Sequence, residues 1–263
     1  MSASDSLSAE DAEAAFRQLQ SDMDRLMESG QTTHQWPIEA GSPLAGDDRA
    51  SRPFQVSHAA SASLGAALDH LHALTTLVVG TRTIHARAPY ALARAAIENA
   101  ATALWLVEPQ TRSERVLRTL RLHAADARDG AKASGDLHTL QIIPLQDRLA
   151  ELRALAAAVG GSLDDGPRTT VTDIVKAADS LLDTDFSAGP LGAWRVFSGF
   201  SHGRPWALAA FSDQEREAIG NGLVQVTSRS SLNRVLYAAS IAADVFNLAA
   251  ETYMRRASAP RIG

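Results

Sequence analysis

No cysteine occurs among the 263 residues, which excludes disulfides, thiolate metal sites and cysteine nucleophiles. That absence suits a reducing compartment, so a cytoplasmic location is the expectation. Aromatic residues are few, at 5%, and β-branched residues rarely alternate with polar ones, which leaves sheet signals weak. No uninterrupted apolar run approaches the length of a bilayer span; even the run Ile241–Ala250 carries Asp244, and no membrane contact is expected. Residues 1–16 are acidic and lack both a basic and an apolar region, so no signal peptide is expected. A net charge of −5 and an isoelectric point near 5.9 argue against broad nucleic-acid binding while leaving room for a local basic groove. Several motifs are missing as well. The chain has no P-loop, no dinucleotide-binding glycine run after a strand, no H-E-x-x-H and no E-x-x-H of the di-iron kind. The run Phe197–Ser201 is not read as a nucleophile elbow.

What is present is helical. Hydrophobic content is 45% and charged content 21%, ordinary for a chain that buries a core, and much of the apolar share is alanine and leucine. An amphipathic helix is predicted over 8–29, with Phe16, Leu19, Met23, Leu26 and Met27 on one stripe, Ser8 as N-cap and Gly30 as stop. Residues 30–53, with Pro37, Gly41, Pro43 and Gly46, read as a long loop packed only through Trp36 and Ile38. Helices follow over 54–87 and 89–108, then one opened by the capping-box pair Thr111 and Glu114, then 142–159 and 171–182. A helix starting at Pro190 is limited by Pro205. A second capping-box match, Ser212 with Glu215, is expected to open a C-terminal helix that bends near Gly220 and Gly222 and runs to 256. With no solenoid period and no sustained heptads, the expectation is an all-α, multi-helix bundle. Its parts are an N-terminal helix and flexible loop over 1–52, a bundle over 53–257 and a disordered tail over 258–263.

Four groups of polar residues could carry chemistry. Arg94, Glu98 and Thr102 are spaced by four on the otherwise apolar helix 89–108 and share one stripe. They are a structural ion pair, the solvent edge of the helix or a polar site inside the bundle, since buried charges need partners. In the segment Trp194–Arg204, Arg195, Ser198, Gly199 and His202 fall on one helical face. Histidine can act as acid or base near neutral pH and arginine can steady a phosphate charge, whereas the plainer alternative is a histidine closing a helix end, packed between Phe200 and Trp206. Arg115, Arg118, Arg121 and Arg128, with Arg112 beside them, could track a phosphate backbone or form a solvated face balanced by Glu114, Asp126 and Asp129. His58, His70, His72 and His85 with His123 and Asp126 do not make a convincing ligand set, so neither a metal nor another cofactor is expected.

An arginine and glutamate four apart on an early helix, followed by an aromatic–Arg–x–x–Ser–x–x–x–His segment on a late one, is similar to the HEPN-like helical-bundle proteins, and more narrowly to a bacterial branch of them. The resemblance spans residues 54–256 and is carried by Arg94, Glu98, Arg195, Ser198 and His202. It implies an HEPN-like bundle that acts on RNA as a homodimer, as a metal-independent ribonuclease of the toxin or antiphage kind. His202 would be the acid/base, Arg195 the phosphate stabiliser, and Arg94, Glu98 and Ser198 would orient and bind. The Arg195–His202 spacing matches the longest that the family's Arg-x(4–6)-His motif allows. Val196 stands where the commoner pattern has a polar residue, so a second reading stays open: a noncatalytic helical protein that binds a small ligand or a protein partner.

Overall fold

A computed structural model of the chain describes residues 7–32, 36–81, 83–136, 143–164, 169–182 and 188–260. The fold is an all-α multi-helix bundle with one small two-stranded sheet. In chain order the elements are α1 (Ala9–Thr32), α2 (Pro43–Ser51), α3 (Val56–Thr81), α4 (Ala88–Val107), α5 (Arg112–Asp136), α6 (Leu145–Ala158), α7 (Val171–Asp179), α8 (Gly189–Ser201), α9 (Pro205–Phe211), β1 (Asp213–Gly220), β2 (Leu223–Arg229) and α10 (Leu232–Ala257).

Local chemistry sets several boundaries. Ser8 caps α1, its Oγ accepting the Asp11 N–H at 3.1 Å, and Thr111 caps α5, its Oγ1 accepting the Glu114 N–H at 3.3 Å. The expected loop over 30–53 is corrected: α2 lies inside it. Ser42 Oγ accepts the Ala45 N–H at 3.1 Å and Pro43 takes the first helical position, so the proline starts a helix. Gly46 lies inside this helix where the Arg112 guanidinium comes close, since a Cβ on it would meet that group at 2.5 Å.

The second correction concerns residues 213–229. Ser212 and Glu215 do not open a helix; Asp213–Gly220 and Leu223–Arg229 pair as an antiparallel hairpin. Gly220, Asn221 and Gly222 all have positive φ, at 88°, 54° and 75°. Such a backbone favours Gly and Asn and turns a hairpin instead of bending a helix.

The chain divides into two compact units. One comprises residues 1–35, 64–101 and 171–249. Its buried side chains include Phe16 and Met23 of α1, Leu68, Leu71 and Leu74 of α3, Ile97 of α4, Phe197 and Phe200 of α8, and Ile241 and Phe246 of α10. Each contributes about 1.5–3 kcal/mol by leaving water. By length and composition alone α3 is apolar enough to cross a membrane, but Leu64, Leu68, Leu71 and Leu74 are the buried stripe of a core helix.

The other unit comprises 36–63, 102–170 and 250–263. It is organised around the C-terminal end of α4. Arg118 donates to Trp105 O at 2.8 Å, Arg256 to Val107 O at 3.2 Å and Glu108 O at 3.0 Å, and Arg115 to Pro109 O at 2.7 Å and Gln110 O at 3.0 Å. The carbonyls that a helix leaves unbonded at its end are thus met by guanidinium groups. Arg115 is itself buried and forks onto the buried Asp47, Nε to Oδ2 at 2.5 Å and Nη2 to Oδ1 at 2.9 Å. Arg121 donates to Ser162 O and Arg128 to Ala124 O. The arginine stripe of α5 is in part the expected balanced face, Arg118 Nε donating to Glu114 Oε1 at 2.8 Å, and in part structural, since its guanidinium groups also bind backbone carbonyls and a buried carboxylate. Of the expected tail, Ala259 N–H donates to Glu39 Oε2 at 2.7 Å, and residues 261–263 lie outside the described residues.

Candidate functional site

In the first unit, α8 carries Arg195 and Ser198 and is closed by His202, and neighbouring elements hold it on two sides. Its start is set by Asp179 of α7, whose Oδ1 accepts the Leu191 N–H at 2.9 Å, and Pro190 sits in the first turn. Its inner face presents Phe197 and Phe200 to Tyr90, with ring centroids 5.5 and 4.4 Å away. Burial pushes the Tyr90 phenol up to about 12, with the Ser230 hydrogen bond and then Arg234 acting the other way. The hydroxyl stays neutral and remains hydrogen-bonded to Ser230.

Along the flank of α8, Arg94, Glu98 and Ser198 meet. Arg94 Nε donates to Ser198 Oγ at 2.9 Å, and Arg94 Nη2 lies 2.9 Å from Glu98 Oε2. Trp194 Nε1 donates to the same Glu98 oxygen at 3.3 Å, and its ring lies 5.7 Å from the Arg94 guanidinium carbon. Ser198 Oγ donates to Trp194 O at 2.8 Å. Each charge has a counter-charge and hydrogen bonds, so the network is a clamp between α4 and α8. The Arg94 and Glu98 side chains are each 27% exposed, so the expected ion pair is present and lies at the half-buried edge of α4.

Arg195 and His202 do not join this network. Both are exposed, and among the described residues neither side chain makes a hydrogen bond or ion pair. Seven residues apart, they share one face of α8, about 10 Å apart along the axis. His202 closes the helix as its C-cap, the backbone N–H donating to Ser198 O at 3.1 Å. Arg94 and Glu98, expected as an orienting pair, hold each other and Ser198 and so steady the helix that carries Arg195.

Trp206, expected only as a packing neighbour of His202, has a closer partner that sequence reasoning missed. A Cβ on Gly199 would meet Trp206 at 2.9 Å and the Ala207 methyl at 2.5 Å. The indole therefore lies against α8 between the positions of Arg195 and His202, and it is 53% exposed. The available signal was Gly199 itself, a glycine inside a helix, which marks a close approach. Sequence reading also overlooks that Gly199–Gly203 has the spacing G-x-S-x-G. The nucleophile elbow needs its serine on a strand-to-helix turn. Ser201 instead ends α8 and donates to Phe197 O at 3.0 Å, so the context of an elbow is absent.

Two concavities lie among the described residues of this unit. One, of about 530 Å³, is walled by Phe16, Val78, Val79, Ile84 and Leu232, with Glu13 and Arg17, paired at 3.3 Å, also lining it. The other, of about 410 Å³, lies among His85, Arg87, Leu208, Val226 and Ser228. His72 Nε2 lies 3.1 Å from Asp24 Oδ1, and among the described residues no group of three or more His, Asp or Glu side chains is placed to hold a metal ion. Comparison with models of known protein families, with curated proteins and with solved structures finds no match to this chain.

Proposed function

We propose that this protein is an RNA-directed, HEPN-like ribonuclease that works from the outer face of α8. The observation that carries the reading is the pair Arg195 and His202, exposed, without a partner among the described residues, and aligned on one face of a clamped helix. Residues idle in the fold, yet held on a rigid element, are free to act on a ligand. Arg195 holds the non-bridging oxygens of a phosphodiester, its long side chain spanning much of the distance to His202. His202 takes the proton of the neighbouring ribose 2′-hydroxyl as that oxygen bonds to phosphorus. The bond from phosphorus to the 5′ oxygen breaks, and the imidazolium returns its proton to that oxygen. The products are a 2′,3′-cyclic phosphate and a 5′-hydroxyl end. Trp206 offers an indole face beside the pair on which an unpaired base can stack.

The test is incubation of the purified chain with short single-stranded RNAs in EDTA, with products identified by mass spectrometry. Cleavage with cyclic-phosphate ends is expected, falling about 10²–10⁴-fold in His202→Ala and in Arg195→Ala. Both variants keep the wild-type melting temperature, because neither side chain packs. Intact RNA with the wild type, or full rates in both variants, ends the reading.

A second reading, a noncatalytic binder of a small ligand, is favoured by the cavity of about 530 Å³. Its walls are mostly aliphatic and Glu13 and Arg17 already neutralise each other, so the ligand is small and mainly apolar. Val78→Trp would fill it and abolish such binding while leaving RNA cleavage unchanged.

A further inference from the structure

The hairpin displays what hairpins in folded proteins usually cover. Ile219, Leu223, Val224 and Val226 are 56%, 60%, 56% and 49% exposed. Among the described residues the sheet has two strands only, so each strand carries an unpaired outer edge. An isolated hairpin is marginal in water, and an unpaired apolar edge is a template for another strand. The two edges differ in charge. β1 carries Asp213, Glu215, Arg216 and Glu217, while β2 carries Arg229 alone, at its end. Charge along an edge strand is a common protection against pairing. β1 has that protection and β2 lacks it.

We propose that the outer edge of β2 is the surface on which a second copy of this chain docks, the two β2 strands pairing antiparallel across a two-fold axis into a four-stranded sheet. The sequence of β2 is complementary to itself under that operation. With the axis at Gln225, Val224 faces the partner's Val226 and Leu223 faces the partner's Thr227. β-branched cross-strand pairs stabilise a sheet, and no like charges meet. The same operation on β1 about Arg216 would set arginine against arginine and Glu215 against Glu217. In the hairpin register Val224 and Val226 lie opposite Ala218 and Arg216 on one face. Pairing at β2 therefore joins two short valine stripes into one. A two-fold contact of this kind closes on itself and leaves the charged β1 strands as the new outer edges. Nothing in it requires Arg195 or His202, so it stands whether or not the chain cleaves RNA.

Analytical ultracentrifugation of the full chain tests this. The wild type is expected at twice the monomer mass, and Val224→Glu/Val226→Glu at the monomer mass with unchanged helix content and melting temperature. Val224→Lys/Val226→Lys is expected to be monomeric by itself, and an equimolar mixture of the Glu and Lys variants to regain the dimer mass. That rescue needs both variants in one particle, which only pairing between copies provides. The chain has no cysteine, so single cysteines placed in turn at Val224, Gln225 and Val226 report alignment directly. At least one is expected to cross-link two copies under mild oxidation. A wild type that is monomeric at every concentration, a dimer that survives the Glu pair, a mixture that stays monomeric, or no cross-link at any of the three positions would overturn the proposal.

Discussion

Replacing Asp47 by alanine leaves the Arg115 guanidinium buried with no counter-charge. The Arg115 and Asp47 side chains are 4% and 0% exposed, so water cannot take the place of the missing carboxylate. Two charge-assisted hydrogen bonds, at 2.5 and 2.9 Å, are lost together, while the bonds from Arg115 to Pro109 O and Gln110 O remain. Breaking one side of a buried pair costs about 3–5 kcal/mol. For a chain of this length, unfolding entropy is roughly 0.5 kcal/mol/K, so a loss of about 4 kcal/mol lowers the melting temperature by about 7 °C. Arg112, 3.5 Å from the same carboxylate but 58% exposed, is freed toward solvent and adds little. Denaturant titration followed by circular dichroism measures the loss. The joint variant Asp47→Leu/Arg115→Met removes both charges and should recover much of it, because two apolar groups of similar volume carry no desolvation penalty. A single Asp47→Ala variant within about 1 kcal/mol of wild type would refute the reasoning, since an orphaned buried guanidinium cannot be that cheap.

Glu98→Ala removes the acceptor of both Arg94 and Trp194, yet at 27% exposure the freed donors find water, so a loss of about 1–2 kcal/mol is expected by thermal melt; a loss above about 3 kcal/mol would mean that the site is drier than it looks. Gly199→Leu drives a side chain into Trp206 and Ala207 and should cost about 1–3 kcal/mol by overpacking, together with a changed Trp206 fluorescence; an unperturbed spectrum would contradict the close approach. Burial against Phe54 holds the His123 imidazole below its ordinary value, opposed by Asp126 and reinforced by Arg148. As the pH falls below about 6.5, the unfolded chain takes up this proton before the folded one does, so stability drops on acidification. In His123→Phe that slope between neutral and mildly acid pH should flatten, as read from denaturation midpoints at several pH values, and an unchanged slope would clear His123 of the effect. Trp206→Ala should leave the chain folded, at a cost of about 1–2 kcal/mol for the covered half of the indole, while weakening binding of single-stranded RNA, measured by anisotropy with the His202→Ala variant so that the RNA stays intact.

Much of the helical frame was legible from local chemistry. Ser8 and Thr111 cap helices because an N-cap needs only a side-chain oxygen three residues ahead of an N–H, and that geometry is contained in the sequence. The spacing of Phe16 and Met23, or of Arg94 and Glu98, likewise determined which residues share a face. Where two local signals competed, the reading failed. Ser212 and Glu215 match a helix start, but Asn221-Gly222 followed by Leu223–Arg229 matches a hairpin, and three positive φ angles in a row are more than a helix can hold. The density of glycine and proline around Ser42-Pro43 hid a genuine cap and first turn.

Partners across long stretches of chain were decided by tertiary structure alone. Helical spacing says that Arg115 and Arg118 are neighbours, not that Arg115 meets a carboxylate 68 residues away. It puts Arg94 and Glu98 on one stripe, but Trp194 and Ser198 reach that stripe from 96 and 104 residues on. The same spacing aligned Arg195 with His202, and only packing left the pair outside while Gly199 between them received Trp206. The physical reason is that periodicity within a helix defines its faces, whereas the energy that chooses what each face meets comes from burying it against another element.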